Sequence, residues 1–232
     1  MRIHKFMSLA GVASRRTSEQ MVADKKVLIN GHPAKIGDIV DPEHDKVSVG
    51  GKLIAAPSEF SYYLVHKPRQ VVSTVSDPEG RRTVTSLVPG GSRLYPVGRL
   101  DYESEGLMLL TNDGELAHHL THPSFEIDKT YRVLVKGVLP DKSAGYLEAG
   151  LTIEGHKTAP AKVKIVERQE HNTWFDITIH EGHNRQIRKM CDAIGYPCFR
   201  LIRTRLGPWE LGDLESGKYR ALTREELKLT TN

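Results

Sequence analysis

The chain has 232 residues, 38% of them hydrophobic and 27% charged, a balance that suits one sizeable globular domain or a small one joined to a larger. No apolar run approaches the roughly 20 residues of a membrane span, and Met1-Arg2-Ile3-His4-Lys5 lacks the apolar core of a signal peptide, so neither a membrane partner nor export is expected. Cys191 and Cys198 cannot build a disulfide framework, which fits a reducing cytoplasm, and a net charge of +4 permits a polyanionic partner without demanding one.

Ile3, Phe6, Met7 and Ala10 fall at helical spacing, and Gly11 stops the run. Ser14 is placed to cap a second helix that turns Met21 and Val22 inward, with Arg15 and Arg16 in its first turn. Those charges oppose the helix dipole, yet they point two guanidinium groups the same way as free backbone N–H groups. Val27-Leu28-Ile29 reads as a strand, and Asn30-Gly31 as a type I′ hairpin turn, which needs positive φ at both positions. Val47 and Val49, ahead of Gly50-Gly51, announce a second short hairpin.

Through Arg2-Ile3-His4-Lys5-Phe6, Ser14-Arg15-Arg16 and Val27-Leu28-Ile29-Asn30-Gly31 this segment resembles the S4 RNA-binding domain. The resemblance implies RNA contacts from Arg2, Lys5, Arg15 and Arg16. It departs at Lys25, where such domains usually close the second helix with glycine, so a strained or frayed turn is expected there. Taken alone, the arginine pair would fit a solvated face equally well.

Ala55-Ala56-Pro57-Ser58-Glu59 looks like a linker and divides the chain into a domain over 1–56 and another over 57–232. Beyond it strands predominate, over residues 62–66, 107–110, 130–138, 161–168, 174–180 and 199–205. Tyr131, Val133 and Val135 share one face, as do Phe175, Ile177 and Ile179, an alternation that argues for mainly antiparallel pairing. Helices are expected after Asn112-Asp113-Gly114, from about Pro140, over 185–194, and after Thr223, where Glu226 completes a capping box. The fold class is therefore α+β: a small helical and hairpin module linked to a larger domain built on a mixed, mainly antiparallel sheet.

Three stretches of the larger domain could carry chemistry. Gly98-Arg99-Leu100-Asp101-Tyr102-Glu103-Ser104-Glu105-Gly106-Leu107 sets a carboxylate at the rim of a buried strand. Lys129-Thr130-Tyr131 opens an alternating strand. Glu181-Gly182-His183-Asn184-Arg185-Gln186-Ile187-Arg188-Lys189-Met190 is a glycine turn into a basic helix with Ile187, Met190, Cys191 and Ile194 on its buried stripe. Arg188 falls beside that stripe, where a guanidinium is partly desolvated and wants a carboxylate such as Asp101, while Arg185 and Lys189 lie i,i+4 on another side. Each has a bland reading as well: a turn aspartate, a strand tyrosine with a polar tip, a solvated helix face.

Pseudouridine synthases carry three such stretches in this order, and the chain resembles the ribosomal RNA branch of that family. The resemblance implies that a uridine is flipped from its stack, its glycosidic bond broken, and the base rejoined through C5. Asp101 would be the essential carboxylate, acting as nucleophile at the sugar or as the base that triggers glycal formation. Tyr131 would stack on the flipped base and help remove the C5 proton, and Arg188 would pair with Asp101. Ile187 and Leu201 would form an apolar wall, Arg99 would fill the gap the base leaves, and Arg185 and Arg203 would contact substrate. No cofactor and no metal is implied. Ribosomal RNA or a pre-ribosomal subunit is the expected partner, and the protein is expected to act as a monomer. Lys129-Thr130-Tyr131 and His156-Lys157-Thr158-Ala159-Pro160-Ala161 look most like enzymes of large-subunit RNA, with small-subunit RNA as the runner-up. Leu64-Val65-His66-Lys67-Pro68-Arg69-Gln70 departs from relatives, which more often read Tyr-Lys-Pro and then Arg-Gly, so the local loop shape is in question.

Other signals weigh less. His118, His119 and His122 suit a solvated, RNA-facing cluster better than a metal site, since no third ligand accompanies the i,i+4 pair. Cys191 reads as core, and Gly90-Gly91-Ser92 as a loop without a phosphate-binding lysine. Arg81-Arg82, Arg200, Arg203 and Arg205 are expected on RNA, with Arg203 and Arg205 on an exposed strand face opposite Ile202 and Leu206. The rivals are a non-catalytic RNA-binding assembly factor with an idle pocket and a hydrolase using Asp101 as base.

Overall fold

The computed structural model describes residues 1–57, 59–90 and 93–228, so Ser58 of the expected linker and Gly91-Ser92 of the expected loop lie outside the described residues. The chain divides into two compact units, the first built mainly on Met1–Ser61 and the second mainly on residues from Tyr62 onward. No helix among the described residues is long and apolar enough to cross a membrane.

In the first unit α1 (Ile3–Leu9) and α2 (Arg15–Ala23) precede four short antiparallel strands, β1 (Val27–Ile29), β2 (His32–Pro33), β3 (Val47–Val49) and β4 (Lys52–Ile54), arranged β2-β1-β3-β4. Ile3, Phe6, Met7, Val22, Val27 and Val47 bury together as its core. Ser14 accepts from Thr17 N at 3.1 Å, the expected cap. Asn30 and Gly31 have φ of 52° and 84°, the type I′ turn the dipeptide demands. At Lys25 the helix ends without fraying: Lys25 N reaches Val22 O and Lys26 N reaches Met21 O, both at 3.0 Å, a complete Schellman closure. The lysine adopts φ 57° to allow it, so the departure from glycine appears as strain alone. Lys25→Gly should therefore stabilise this unit by about 1 kcal/mol, read as slower amide exchange in α1 and α2 of the full chain.

The second unit contains β5 (Tyr62–Lys67), β6 (Tyr95–Pro96), β7 (Glu105–Thr111), α3 (Gly114–Thr121), β8 (Lys129–Lys136), α4 (Asp141–Ala149), β9 (Thr152–Ile153), β10 (His156–Lys157), β11 (Lys162–Arg168), β12 (Asn172–Ile179), α5 (Gln186–Ala193), β13 (Cys198–Leu206), β14 (Trp209–Glu210), β15 (Tyr219–Ala221) and α6 (Arg224–Lys228). Nine strands form one sheet in the order β11-β12-β8-β13-β7-β5-β15, with β14 added to β13 and β6 to β7, while β9 and β10 make a separate hairpin. Every pairing is antiparallel except β13 with β7. The alternation in β8 and β12 holds, since Tyr131, Val133, Val135, Phe175, Ile177 and Ile179 are all buried. All of β7 is buried, because Met108 and Leu110 enter one core while Leu107 and Leu109 enter a second on the other face. Thr223 and Glu226 form the expected capping box at α6, with reciprocal bonds of 3.2 and 2.9 Å.

The parallel seam is narrow. It aligns Ile202 with Glu105 and Arg203 with Gly106. Gly106 has φ 114°, and a Cβ there would come 2.3 Å from Arg203 O and 2.5 Å from Arg203 N, so only glycine lets the two strands meet. Arg203 corrects an expectation. It is 2% exposed rather than on an outer charged face, and its Nε donates to Leu107 O at 2.6 Å. Arg203 shares the inner face with buried Leu201, and a register irregularity between Arg203 and Arg205 then breaks the two-residue alternation and leaves Arg205 outside. Gly106→Ala should destabilise the chain by more than about 3 kcal/mol or prevent folding. Gly145→Ala, in α4 where a Cβ meets nothing within 4 Å, should stabilise it by about 0.5 kcal/mol; thermal unfolding of the two variants checks the contrast.

Candidate active site

The loop that carries Asp101 is fastened through consecutive backbone carbonyls. Ser73 Oγ donates to Leu100 O at 2.7 Å, and Ser104 N to Asp101 O at 3.0 Å. Gln70 N donates to Tyr102 O at 2.8 Å, Arg188 Nη2 to Glu103 O at 3.2 Å, and Lys67 Nζ to Ser104 O at 2.7 Å. Arg69 adds a forked pair to the Glu103 carboxylate at 3.2 and 2.6 Å. The Asp101 side chain, 29% exposed, is left facing a cleft of about 100 Å³.

Lys67, Gln70 and Ser73 are the residues whose roles sequence spacing did not reveal. Lys67 is 0% exposed at the end of β5, where a lysine running into proline is the only hint. Burial pulls its pKa down to about 8, against the opposing pull of Asp101, Glu105 and Glu103. Gln70 sits at φ 61°, a left-handed conformation that costs a residue with a side chain more than glycine.

Arg188 is buried on α5. Its Nη1 donates to Cys198 O at 3.1 Å and its Nη2 also reaches Ser104 Oγ at 3.3 Å. Its Nε stands 4.0 Å from Asp101 Oδ2 and has no hydrogen-bond partner among the described residues. The guanidinium thus grips the loop backbone with its end nitrogens and turns the third toward the carboxylate. Arg185 is not the first helical residue. It caps α5 at φ 52°, so its side chain leaves the helix surface and lines the cleft instead of stacking on Lys189. Gln186, buried behind it, accepts from His183 N at 3.0 Å and donates to Glu181 Oε1.

Tyr131 lines the same cleft from β8, together with buried Ile187 and Leu201 and exposed Arg99. The structure therefore gathers Asp101, Tyr131, Arg188, Arg99, Arg185, Ile187 and Leu201, and leaves Arg203 inside the sheet. Lys129, first in the Lys-Thr-Tyr stretch, is a fastener: its Nζ donates to Ile127 O at 2.8 Å and His180 O at 3.0 Å, and burial lowers its pKa. In the first unit Arg15 and Arg16 are exposed in the opening turn of α2, Arg2 is exposed with its guanidinium on Gly37 O, and Lys5 is half-buried. His118, His119 and His122 pack their rings together and against Phe125, with centroids 4.2 to 6.1 Å apart. Cys191 is core, and burial raises its thiol pKa well above the usual value.

This fold and cleft are those of an RNA-modifying isomerase: the chain belongs to the RNA pseudouridylate synthase family, whose model matches residues 61–193, and an S4 domain model matches residues 1–47. It is similar to the ribosomal large subunit pseudouridine synthase B of Bacillus subtilis (strain 168), 42% identical over 230 residues that cover 98% of this chain and 94% of that protein. An uncharacterized RNA pseudouridine synthase of Aquifex aeolicus is 39% identical, covering 98% and 92%. Among solved structures, a crystal structure of a pseudouridylate synthase superposes with a TM-score of 0.72 at 28% identity over 99% of both chains.

Lys67 gives a pH signature. Between about 8 and 10.5 the folded lysine has lost its proton while the unfolded one keeps it, so the unfolded state binds more protons and stability rises with pH across that window. The neutral amine still has two N–H donors for Ser104 O and Pro68 O. Wild type should gain stability over Lys67→Met as pH climbs from about 8 to 10, measured by urea unfolding; a pH-independent difference would contradict the lysine's placement.

Proposed function

We propose that this enzyme converts a uridine of large-subunit ribosomal RNA to pseudouridine, with Asp101, Tyr131 and Arg188 as its catalytic residues. The observation that carries the reading is the Asp101 carboxylate, on a loop fastened through its backbone carbonyls, 4.0 Å from Arg188 Nε and in one cleft with Tyr131. A flipped uracil would stack on Tyr131 between Ile187 and Leu201, contacts that offset the few kcal/mol lost on unstacking. Arg99 would occupy the vacated gap, and Arg185 would meet the flanking phosphates.

Asp101 then either attacks C1′, displacing the base through N1, or removes the 2′ proton to give a glycal. In both routes the detached base turns and C5 bonds to C1′, which breaks the Asp101–C1′ bond in the first route and returns the 2′ proton to C2′ in the second. The C5 proton then leaves with help from Tyr131, and N1 takes up a proton. Atoms are conserved between uridine and pseudouridine, so the reading needs neither cofactor nor metal. Closure of the cleft against water keeps the detached base in place. Arg2, Lys5, Arg15 and Arg16 of the first domain, taken as 1–56 against 57–232, would grip RNA phosphates in a salt-dependent way. A cytoplasmic monomer acting on RNA or an assembling subunit completes the reading. The large-subunit target is supported by the 42% identity to a protein of that printed activity.

Asp101→Asn should lower pseudouridine formation on ribosomal RNA by about 10³-fold or more while RNA affinity stays within about threefold. Undiminished product from this variant would end the catalytic assignment. Mapping pseudouridine on both ribosomal RNAs from cells lacking the protein should show a lost site in the large-subunit RNA; a loss confined to small-subunit RNA would redirect the target, and no loss would favour an assembly factor.

A further inference from the structure

The isomerase reading leaves three side chains at the rim of the cleft without a task. His156 comes from the β9–β10 hairpin, and Glu181 and His183 from the turn that precedes α5. Their ligand-capable atoms lie within 4.8 Å of one another. His183 Nε2 stands 3.5 Å from Glu181 Oε2, and the two imidazole centroids are 4.4 Å apart.

The carboxylate is oriented from behind. Glu181 Oε1 accepts from Ala159 N at 3.0 Å and from the buried Gln186 amide, which leaves Oε2 turned toward His183. The turn is fixed as well, because Gln186 Oε1 accepts from His183 N. On the other side the hairpin is tied to α5 by Lys189 Nζ and Glu154 Oε2 at 2.6 Å. Two anchored elements therefore present three donors to one point, and the sequence distance between them hides the arrangement.

We propose that His156, Glu181 and His183 form a binding site for a divalent transition-metal ion of the zinc class. Two imidazoles and one carboxylate are the donor set of such ions, whereas magnesium and calcium prefer all-oxygen sites. Metal–ligand bonds of about 2.0–2.2 Å in tetrahedral geometry put neighbouring donor atoms roughly 3.4 Å apart. The Glu181–His183 pair already has that spacing. His156 and His183 are exposed, so rotation of their side chains is the route by which donors now within 4.8 Å would draw together. The hydrogen bonds on the far oxygen of Glu181 supply the outer support that metal ligands require. The fourth position would fall to water or a phosphate oxygen. Gly182 and His183 also line the cleft, so the ion would brace the wall that carries Arg185 and take no part in bond exchange at C1′.

Calorimetry and equilibrium dialysis on the full, untagged chain test this, using Zn²⁺ and Co²⁺ as probes. The expected result is one ion per chain, with affinity reduced at least about tenfold in His156→Ala and in His183→Ala. Affinity should be unchanged in His118→Ala, which removes a histidine from the separate ring cluster. Bound Co²⁺ should show the intense visible bands of tetrahedral coordination, and Zn²⁺ should raise the thermal midpoint of wild type but not of His156→Ala. Absence of binding at about 100 µM Zn²⁺, binding that survives both substitutions, or displacement by millimolar Mg²⁺ would each overturn the proposal. None of these readouts depends on pseudouridine formation.

Discussion

A carboxylate can be placed at a reacting centre in two ways: by bonding the side chain, or by bonding the backbone beside it and leaving the side chain free. Asp101 is held in the second way. The carbonyls of Leu100, Asp101, Tyr102, Glu103 and Ser104 are engaged in turn by Ser73, Ser104, Gln70, Arg188 and Lys67. Neutral bonds of this kind contribute about 0.5–1.5 kcal/mol each, and those from charged donors about 1.5–3 kcal/mol. Such a frame fixes the loop without consuming the acceptor capacity of the Asp101 carboxylate.

That frame needs cations inside the protein. Lys67, Arg188 and Arg203 are all buried near Glu103, Asp101 and Glu105, and Arg200 closes on Glu105 at 2.6 Å. Isolated charges in such a place would cost several kcal/mol each. Lys67 and Arg188 are met by carbonyls, and Arg203 by Leu107 O at Nε while its Nη2 has no partner among the described residues. Lys67 shows the residual cost as a lowered pKa. The same cluster joins the halves of the sheet, because Arg203 lies on β13 opposite Gly106 of β7 and bonds across to Leu107 O. Glycine at position 106 is thus required by strand approach, although it sits in the stretch that also carries Asp101.

Left-handed residues mark where the chain subordinates local preference to placement. Lys25 closes α2, Gln70 shapes the turn that reaches Tyr102 O, and Arg185 swings a guanidinium into the cleft, each at positive φ without being glycine. Of the four such residues described in the second unit, Gln70 and Arg185 touch the loop or wall around Asp101, while Glu126 and Glu154 lie in other turns. Strain of this kind persists only where surrounding contacts over-determine it.

Local chemistry was legible in the chain itself. Helical spacing in α1, the Ser14 cap, the Asn30-Gly31 turn, the Thr223–Glu226 box and the alternation of β8 and β12 all depend on neighbours a few residues apart, and all appear as expected. The three stretches around Asp101, Tyr131 and Arg188 were legible as candidates for the same reason. Their meeting in one cleft was decided by tertiary structure, through the single parallel seam that sets β7 beside β13. So were the inward placement of Arg203, which bonds Leu107 O across the seam, the outward turn of Arg205 after a shift in register, and the roles of Lys67, Gln70 and Ser73, whose partners are distant carbonyls. A backbone carbonyl leaves no trace in a residue's identity, and a bulge changes which face a side chain takes without changing the pattern that precedes it.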